Sequence, residues 1–464
     1  MSDAAFNDDL LEKELFGGAD DDDELGAMDV DGMMGLDDSM AGLGGAGELT
    51  VLHHAPRIRA SASAGLDRCR TYDILPTMAF INQVYAPGAT VNAQVYTVTA
   101  TANMRWVFTG GDDGYIKKWD FNATVNGKQQ LTQGQRHPHV DSVTKAGVLA
   151  SFWDHGDTGG ADAGTDVLSP VFSLDVQSEA MWLVSGMRSG RIGLWSVRHD
   201  EGRRIALLDK HKKPVSVLRI TPDELGLVSG AWDRAVLYWD LNTGKLARAF
   251  AGHTSQISAI EFRPTWNYER FKDLQQEPPD APAPGEPLDS KSAEPVLMTT
   301  SIDGQCLLWD VRAPRALPLH CDVPAKTPPW ATAACWSHDG RYIYVGRRNN
   351  TVDEYEFGMG SQPVRTLRLP MNSGPVTALA TMSNGRSLIC ASYDNVRMWD
   401  LRDPPAGQRR STIPFQIIPG HHGGTVSAVL VDESSRYMLT TPGTRGWDGS
   451  SNAMFLGYEI NPIA

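Results

Sequence analysis

Twelve histidines and five cysteines are the residues of this chain best suited to holding a metal or attacking a substrate, so their spacing decides which chemistry is open. Three close histidine pairs occur, His53/His54, His137/His139 and His421/His422, and none has cysteine or carboxylate neighbours at zinc-ligand spacing. Cys69, Cys306, Cys321, Cys335 and Cys390 are scattered with no CxxC pair, a pattern that fits a reducing compartment. Neither a phosphate-cradling P-loop nor the G-x-S-x-G elbow of acyl transfer is present. A literal GxGxxG, Gly42-Leu43-Gly44-Gly45-Ala46-Gly47, follows no strand and opens no helix, so it reads as a linker. Three carboxylates remain, Asp113, Asp233 and Asp303, each at a turn just before an apolar run. A carboxylate that recurs at one place in a repeat is structural before it is catalytic. The expectation is a protein with no catalytic, cofactor or metal site.

Those turns belong to a phrase that recurs from about residue 110 onward. It reads GGDDGYIKKWD at 110–120, SGMRSGRIGLWS at 185–196, SGAWDRAVLYWD at 229–240 and TSIDGQCLLWD at 300–310. Later versions are VGRRNNTVDEYEF at 345–357 and ASYDNVRMWD at 391–400. Trp119, Trp195, Trp239, Trp309, Tyr355 and Trp399 end the runs and, where no insertion intervenes, lie roughly 44 to 46 residues apart. That is the period of a four-stranded WD-repeat blade. Near-continuous apolar runs such as Val236-Leu237-Tyr238-Trp239 suit strands buried on both faces. Ser189 and Asn349 replace the turn Asp in two repeats. His211, His253 and His421 precede inner strands, where a framework histidine is expected.

Seven inner strands can be counted: VYTVTAT (95–101), SPVFSLDV (169–176), KPVSVLRI (213–220), SQISAIEF (255–262), WATAACW (330–336), GPVTALAT (374–381) and GTVSAVLV (424–431). The predicted fold is therefore all-β, a seven-bladed WD40 propeller. The last blade runs through YMLTTPG (437–443) and AMFLGYEI (453–460) and leaves no length for an outer strand. A propeller leaves no long open edge, so the segment around Arg70 to Phe80 is expected to supply that strand.

Charge divides the chain unevenly. Residues 1–56 hold fifteen acidic side chains against Lys13 alone, a net of −14, which equals the net charge of the whole chain. This segment is too acidic and too poor in apolar surface to offset its ordering entropy and reads as a disordered tail, with the propeller occupying 57–464. Phe6, Leu10, Leu11, Leu15 and Phe16 are interleaved with acids, and the run Asp20, Asp21, Asp22, Asp23, Glu24 follows. Two readings of the tail stand, a solubilising extension or a segment that orders on a basic partner. The N-terminus lacks the layout of a signal peptide, and the charge-free stretch from Ile74 to Met104 is broken by Pro76 and Pro87, so no membrane span is expected. Lys210-His211-Lys212-Lys213 and Arg409-Arg410 read as solvated loops, and the neutral propeller argues against direct duplex DNA binding.

Two insertions break the period. The first, 122–168, carries Val140, Val143, Val148, Leu149, Phe152 and Trp153, and is expected to fold against the propeller and to offer a partner contact. The second, 265–294, contains EPPDAPAPGEP and reads as a solvated excursion.

Beyond the repeats, NMRWVFTGGDDGYIKKWDF (103–121), RHPHVDSVTKAGVLASFWDH (136–155), WLVSG with SVRHDEGRRI (182–205) and SGAWDRAVLYWDLNTGKL (229–246) are distinctive. Together they resemble the WD-repeat subunit of the SAGA transcription coactivator complex that contacts the TATA-binding protein. The similarity covers most of the propeller, and the acidic tail fits it. The resemblance implies a nuclear, non-enzymatic protein, present in one copy among other SAGA subunits, that delivers or restrains the TATA-binding protein at promoters. Two rival classes are a reader of histone tails, which would need aromatics converging at the central channel, and a generic scaffold or ubiquitin-ligase adaptor, against which the lack of any F-box counts.

Overall fold

Burial explains the strands of each repeat. In blade three, Gly226–Ala231 and Val236–Asp240 are buried almost throughout because both faces of the sheet meet a neighbouring blade. The outer strand Lys245–Phe250 instead alternates exposed and half-buried residues, as a rim position requires. The computed structural model describes residues 71–463 apart from 87–88, 158–166, 265–295, 312–315, 325–327, 329, 360, 402–414, 422–423 and 444–453. The acidic tail, the 265–294 insertion and Arg409-Arg410 lie outside the described residues.

Among the described residues, seven antiparallel sheets are built on the inner strands Val95–Ala100, Ser173–Val176, Val215–Ile220, Ile257–Phe262, Ala331–Trp336, Val376–Thr381 and Val426–Val431. Each inner strand packs against the next, and that of blade seven returns to that of blade one. This is a closed seven-bladed propeller, all-β apart from short helical turns. Its hydrophobic core is divided into seven clusters, one at each interface between blades. Close approach at those interfaces depends on small residues in the second strands. A Cβ at Gly346 would lie 2.4 Å from Val376 Cγ1 of the next blade, and one at Gly230 would lie 2.6 Å from Ile257 Cγ2.

The ring is joined by one strand pairing. Blade seven takes its third strand from Met454–Ile463 and its fourth from Thr71–Ile81, which pair antiparallel from Thr71 opposite Ile463 to Ile81 opposite Met454. Phe80 stacks on Phe455 with centroids 4.4 Å apart and meets Trp119 of blade one edge-on at 5.4 Å. One aromatic cluster thus binds the first strand, the last strand and the first blade.

The 122–168 stretch differs from its reading as one insertion. Val148–Asp154 is the outer strand of blade one, paired along Tyr115–Asp120. What separates it from the third strand is a five-residue helix, Phe121–Val125, capped by Asp120 at the Ala123 amide (2.9 Å), and a loop that leaves the blade. The loop crosses to blade seven, where Lys145–Ala146 pairs parallel to Met78 and Ala79 as a fifth strand. Lys145 reaches Glu459 at 2.7 Å, and His137 Nε2 lies 2.8 Å from the Gly420 carbonyl. Leu131, Val143 and Ala146 are buried there with Tyr72, Ile74 and Ile460. This part of the stretch covers a sheet edge that would otherwise stand open.

Because Phe80 is fully buried at the junction, Phe80→Ala should lower unfolding stability by about 4 kcal/mol. Phe152→Ala, at a side chain 59% exposed, should change it by no more than about 0.5 kcal/mol. Urea denaturation of the two variants measures the difference.

Candidate functional site

The turn carboxylates are best understood through the side chains that reach them. Asp233 accepts hydrogen bonds from His211 Nδ1 (3.1 Å) and from the amides of Lys212 (2.9 Å) and Ala235 (3.1 Å). His211 Nε2 lies 2.8 Å from Ser229 Oγ, and Trp239 Nε1 donates to the same oxygen at 2.8 Å. With Nδ1 donating to Asp233, Nε2 is left as the acceptor for the Ser229 hydroxyl, so a single chain runs from Trp239 through Ser229 and His211 to Asp233. These are the residue types of a hydrolytic triad. Here Ser229 and His211 are buried and the landmark indole donates to the hydroxyl oxygen, so the arrangement fixes a blade.

Variants of that chain recur around the ring. His253 Nε2 lies 2.6 Å from Thr299 Oγ1, which accepts from Trp309 at 2.6 Å, and Asp303 holds the Thr254 amide (3.1 Å) and the Gln305 amide (2.9 Å). In blade two His155 bonds Ser185 (2.9 Å) and sets its Nδ1 2.8 Å from the Ser169 carbonyl, which stands in for the carboxylate that Ser189 lacks. Lysine takes the histidine's part in blade one, where Lys117 Nζ reaches Asp113 at 2.6 Å. Arginine takes it in blade six, where Arg397 meets Asp394 at 2.7 Å. Blade five has Arg347 bonded to Asp353 at 3.0 Å and to the Tyr355 hydroxyl at 3.0 Å. His421 Nε2 bonds Thr440 at 2.7 Å in blade seven. Asp394 and His155 escaped the sequence reading, although Asp394 stands at the same turn of its repeat as Asp233.

Electrostatics follow from burial and bonding. Burial acts to raise the Asp233 and Asp303 carboxyls, but hydrogen bonds from His211 and from Ser301, Thr254 and nearby amides outweigh it and hold both below the ordinary range. Burial disfavours the charged imidazole and depresses His155 and His253 to about 4. Among the described residues, no group of three or more His, Cys, Asp or Glu is placed to hold a metal ion, and no helix is long and apolar enough to cross a membrane. Phe6, Leu10, Leu11, Leu15, Phe16 and the acidic run Asp20, Asp21, Asp22, Asp23, Glu24 lie outside the described residues.

A different kind of site lies in the central channel. Most inner strands carry a β-bulge at their second residue, for example between Val215 and Val217, which turns that residue toward the axis. Blades three to seven place hydroxyls there: Ser216, Ser258, Thr332, Thr377 and Ser427. Ser216 donates to the Ile257 carbonyl of the next blade at 2.7 Å, and Ser427 to the Val95 carbonyl of blade one at 2.5 Å, so the hydroxyls also fasten neighbouring blades. Blades one and two carry Tyr96 and Phe172 instead, stacked with centroids 5.7 Å apart. Phe172, Trp232, Trp330 and Tyr393 then frame the mouth of a cavity of about 160 Å³ that the five hydroxyls line. Trp232 and Tyr393 each directly precede a turn carboxylate, Asp233 and Asp394. Convergence of four blades at this point could not be read from residues that lie far apart in the chain.

Comparison with known proteins fits this architecture. A family model described as SPT8 beta propeller matches residues 72–294 and 285–461. The chain is 39% identical over 440 residues to the SAGA complex subunit Spt8 of Schizosaccharomyces pombe, covering 84% of this chain and 79% of that protein. It is 33% identical over 448 residues to the SAGA complex subunit SPT8 of Saccharomyces cerevisiae, covering 84% and 73%. A guanine nucleotide-binding protein subunit beta of Zea mays is 22% identical over 348 residues, covering 66% and 80%. The chain belongs to the SPT8 β-propeller family.

The two depressed histidines make stability depend on pH. Each binds a proton more readily in the unfolded chain, at its ordinary 6.5, than in the fold, at about 4. Their contribution is therefore complete above pH ~6.5 and is lost as pH falls toward ~4, by at most about 3 kcal/mol for each. Thermal unfolding followed from pH ~7 to ~4.5 should show a falling midpoint, and His253→Gln should flatten the slope.

Proposed function

We propose that this chain is a nuclear subunit of a SAGA-type histone-acetylating coactivator complex, where it binds the TATA-binding protein without catalysing a reaction. In this reading it regulates delivery of the TATA-binding protein to promoters or its retention there. Membership of the complex rests on identity to two SAGA subunits that extends over 84% of the chain. The propeller supplies a rigid surface for other subunits, in one copy per assembly, and makes no direct sequence-specific contact with DNA.

The observation that carries the partner is the segregation of charge. All of the net charge of −14 resides in residues 1–56, while the remainder balances 41 acidic against 41 basic side chains. The TATA-binding protein meets DNA through a positive, phosphate-neutralising surface. A segment that presents Asp20, Asp21, Asp22, Asp23 and Glu24 beside Phe6, Leu10, Leu11, Leu15 and Phe16 offers that surface both charge and apolar anchors. The tail then supplies attraction and competes with DNA, and a propeller face supplies the specific contact.

Binding of purified TATA-binding protein to the full chain, and to a version beginning at Arg57, tests this across a salt series. Exposed charges are screened beyond about 8 Å at physiological ionic strength. Affinity should therefore fall steeply with salt for the full chain and be weaker and flatter for the shortened one. An affinity unchanged by salt and by truncation would refute the electrostatic role of the tail. Absence of binding by either would refute the partner.

A further inference from the structure

We infer that the mouth of the central channel is a binding site for an arginine side chain presented by a partner peptide. This site shares no residue with the tail and does not depend on the TATA-binding protein. Four aromatic rings from four blades meet at the cavity, and none is a landmark aromatic that packs between blades. Phe172 and Trp232 stand 5.5 Å apart with their planes tilted by 58°, which forms a corner open to the channel.

The chemistry of the wall selects the ligand. Ser216, Thr332 and Ser427 each donate their proton to a strand carbonyl of the neighbouring blade. Thr377 donates within its own blade, to the Ala391 carbonyl at 3.4 Å. A hydroxyl has one proton and two lone pairs, so what these four groups offer the cavity is acceptor capacity, while Ser258 shares a hydrogen bond with Thr300 (2.9 Å) and Thr425 completes the hydroxyl lining. Aromatic faces are likewise electron-rich. Among the described residues that line the cavity, none is charged. An anion would meet no cation in the cavity wall, and a purely apolar ligand would strip water from hydroxyl acceptors without replacing it. A cation bearing several N–H groups satisfies both features.

Between the two cationic side chains, the wall suits the guanidinium. It is planar, stacks on aromatic rings and carries five donors, whereas an ammonium is a compact, strongly hydrated point charge. Arg348, which is not part of the cavity wall, already sets its guanidinium 4.2 Å from the centroid of the Trp330 ring. That contact covers part of Trp330 and leaves the Phe172–Trp232 corner as the place for the incoming group.

The test uses the full chain with 15N-labelled tryptophan and follows indole N–H resonances during titration with acetyl-Ala-Arg-Ala-amide. Trp232→Phe and Trp330→Phe variants assign the two signals. The expected result is saturable shifts confined to those signals, with a dissociation constant on the order of 1 mM. The citrulline peptide, of the same shape without charge, should bind about tenfold more weakly, and so should the lysine peptide. Trp232→Ala should abolish the Trp330 shift while the other indole signals keep their positions, which establishes that the variant is folded. Equal binding of arginine and citrulline peptides would overturn the proposal, as would shifts scattered over the other tryptophans. Lysine binding as tight as arginine would overturn the guanidinium assignment.

Discussion

A ring of twisted sheets has to dispose of its last free edge, and in this chain one strand pairing does so. Thr71–Ile81 lies along Met454–Ile463, so the first described strand completes the last blade. Stability distributed over seven interfaces makes that junction decisive, because no central core would hold the ring if it opened. The fifth strand at Lys145–Ala146 then covers the edge that the exchanged strand exposes. The channel depends on this closure as well, since the bond from Ser427 to the Val95 carbonyl joins blade seven to blade one.

Within the ring, residues that elsewhere perform catalysis are used to hold turns. Where the sequence places a carboxylate before the third strand, the fold finds a different cation or donor for it in blades one, three and six: Lys117, His211 and Arg397 for Asp113, Asp233 and Asp394. Such interchange suits a framework, where the need is to satisfy a buried polar group, and would not suit a reaction that requires one proton affinity. The surface left for recognition lies where blade packing makes no demand. Trp232 and Tyr393 sit beside the turn carboxylates, yet their rings face the channel mouth.

Much of this was legible from residues alone. The landmark aromatics and the runs before them revealed the blades because both faces of those strands are buried, which leaves a strong local signal. The outer strand Val148–Asp154 was hidden inside an apparent insertion, because rim strands need no continuous apolar run; Leu149, Ala150 and Phe152 are exposed in it. Asp394 lies five residues before its landmark Trp399, whereas Asp113, Asp233 and Asp303 lie six before theirs, so the shorter turn hid it. The aromatic mouth was illegible for another reason. Phe172, Trp232, Trp330 and Tyr393 come from separate blades and are brought together only by closure of the ring. The acidic–hydrophobic tail, conspicuous in composition, lies outside the described residues, and its role rests on charge and family.

A propeller held by one exchanged strand is a platform, and the recognition proposed for it by tail and by channel mouth relies on that platform staying shut. Native-state hydrogen exchange of the amides in Thr71–Ile81 and Met454–Ile463 tests this most directly. If closure is the interaction on which the fold depends, these amides exchange only through global unfolding, as slowly as the inner strands Val215–Ile220 and Ile257–Phe262. Rapid exchange in Thr71–Ile81 while the inner strands remain protected would mean that the ring stands without its clasp, and would contradict the account.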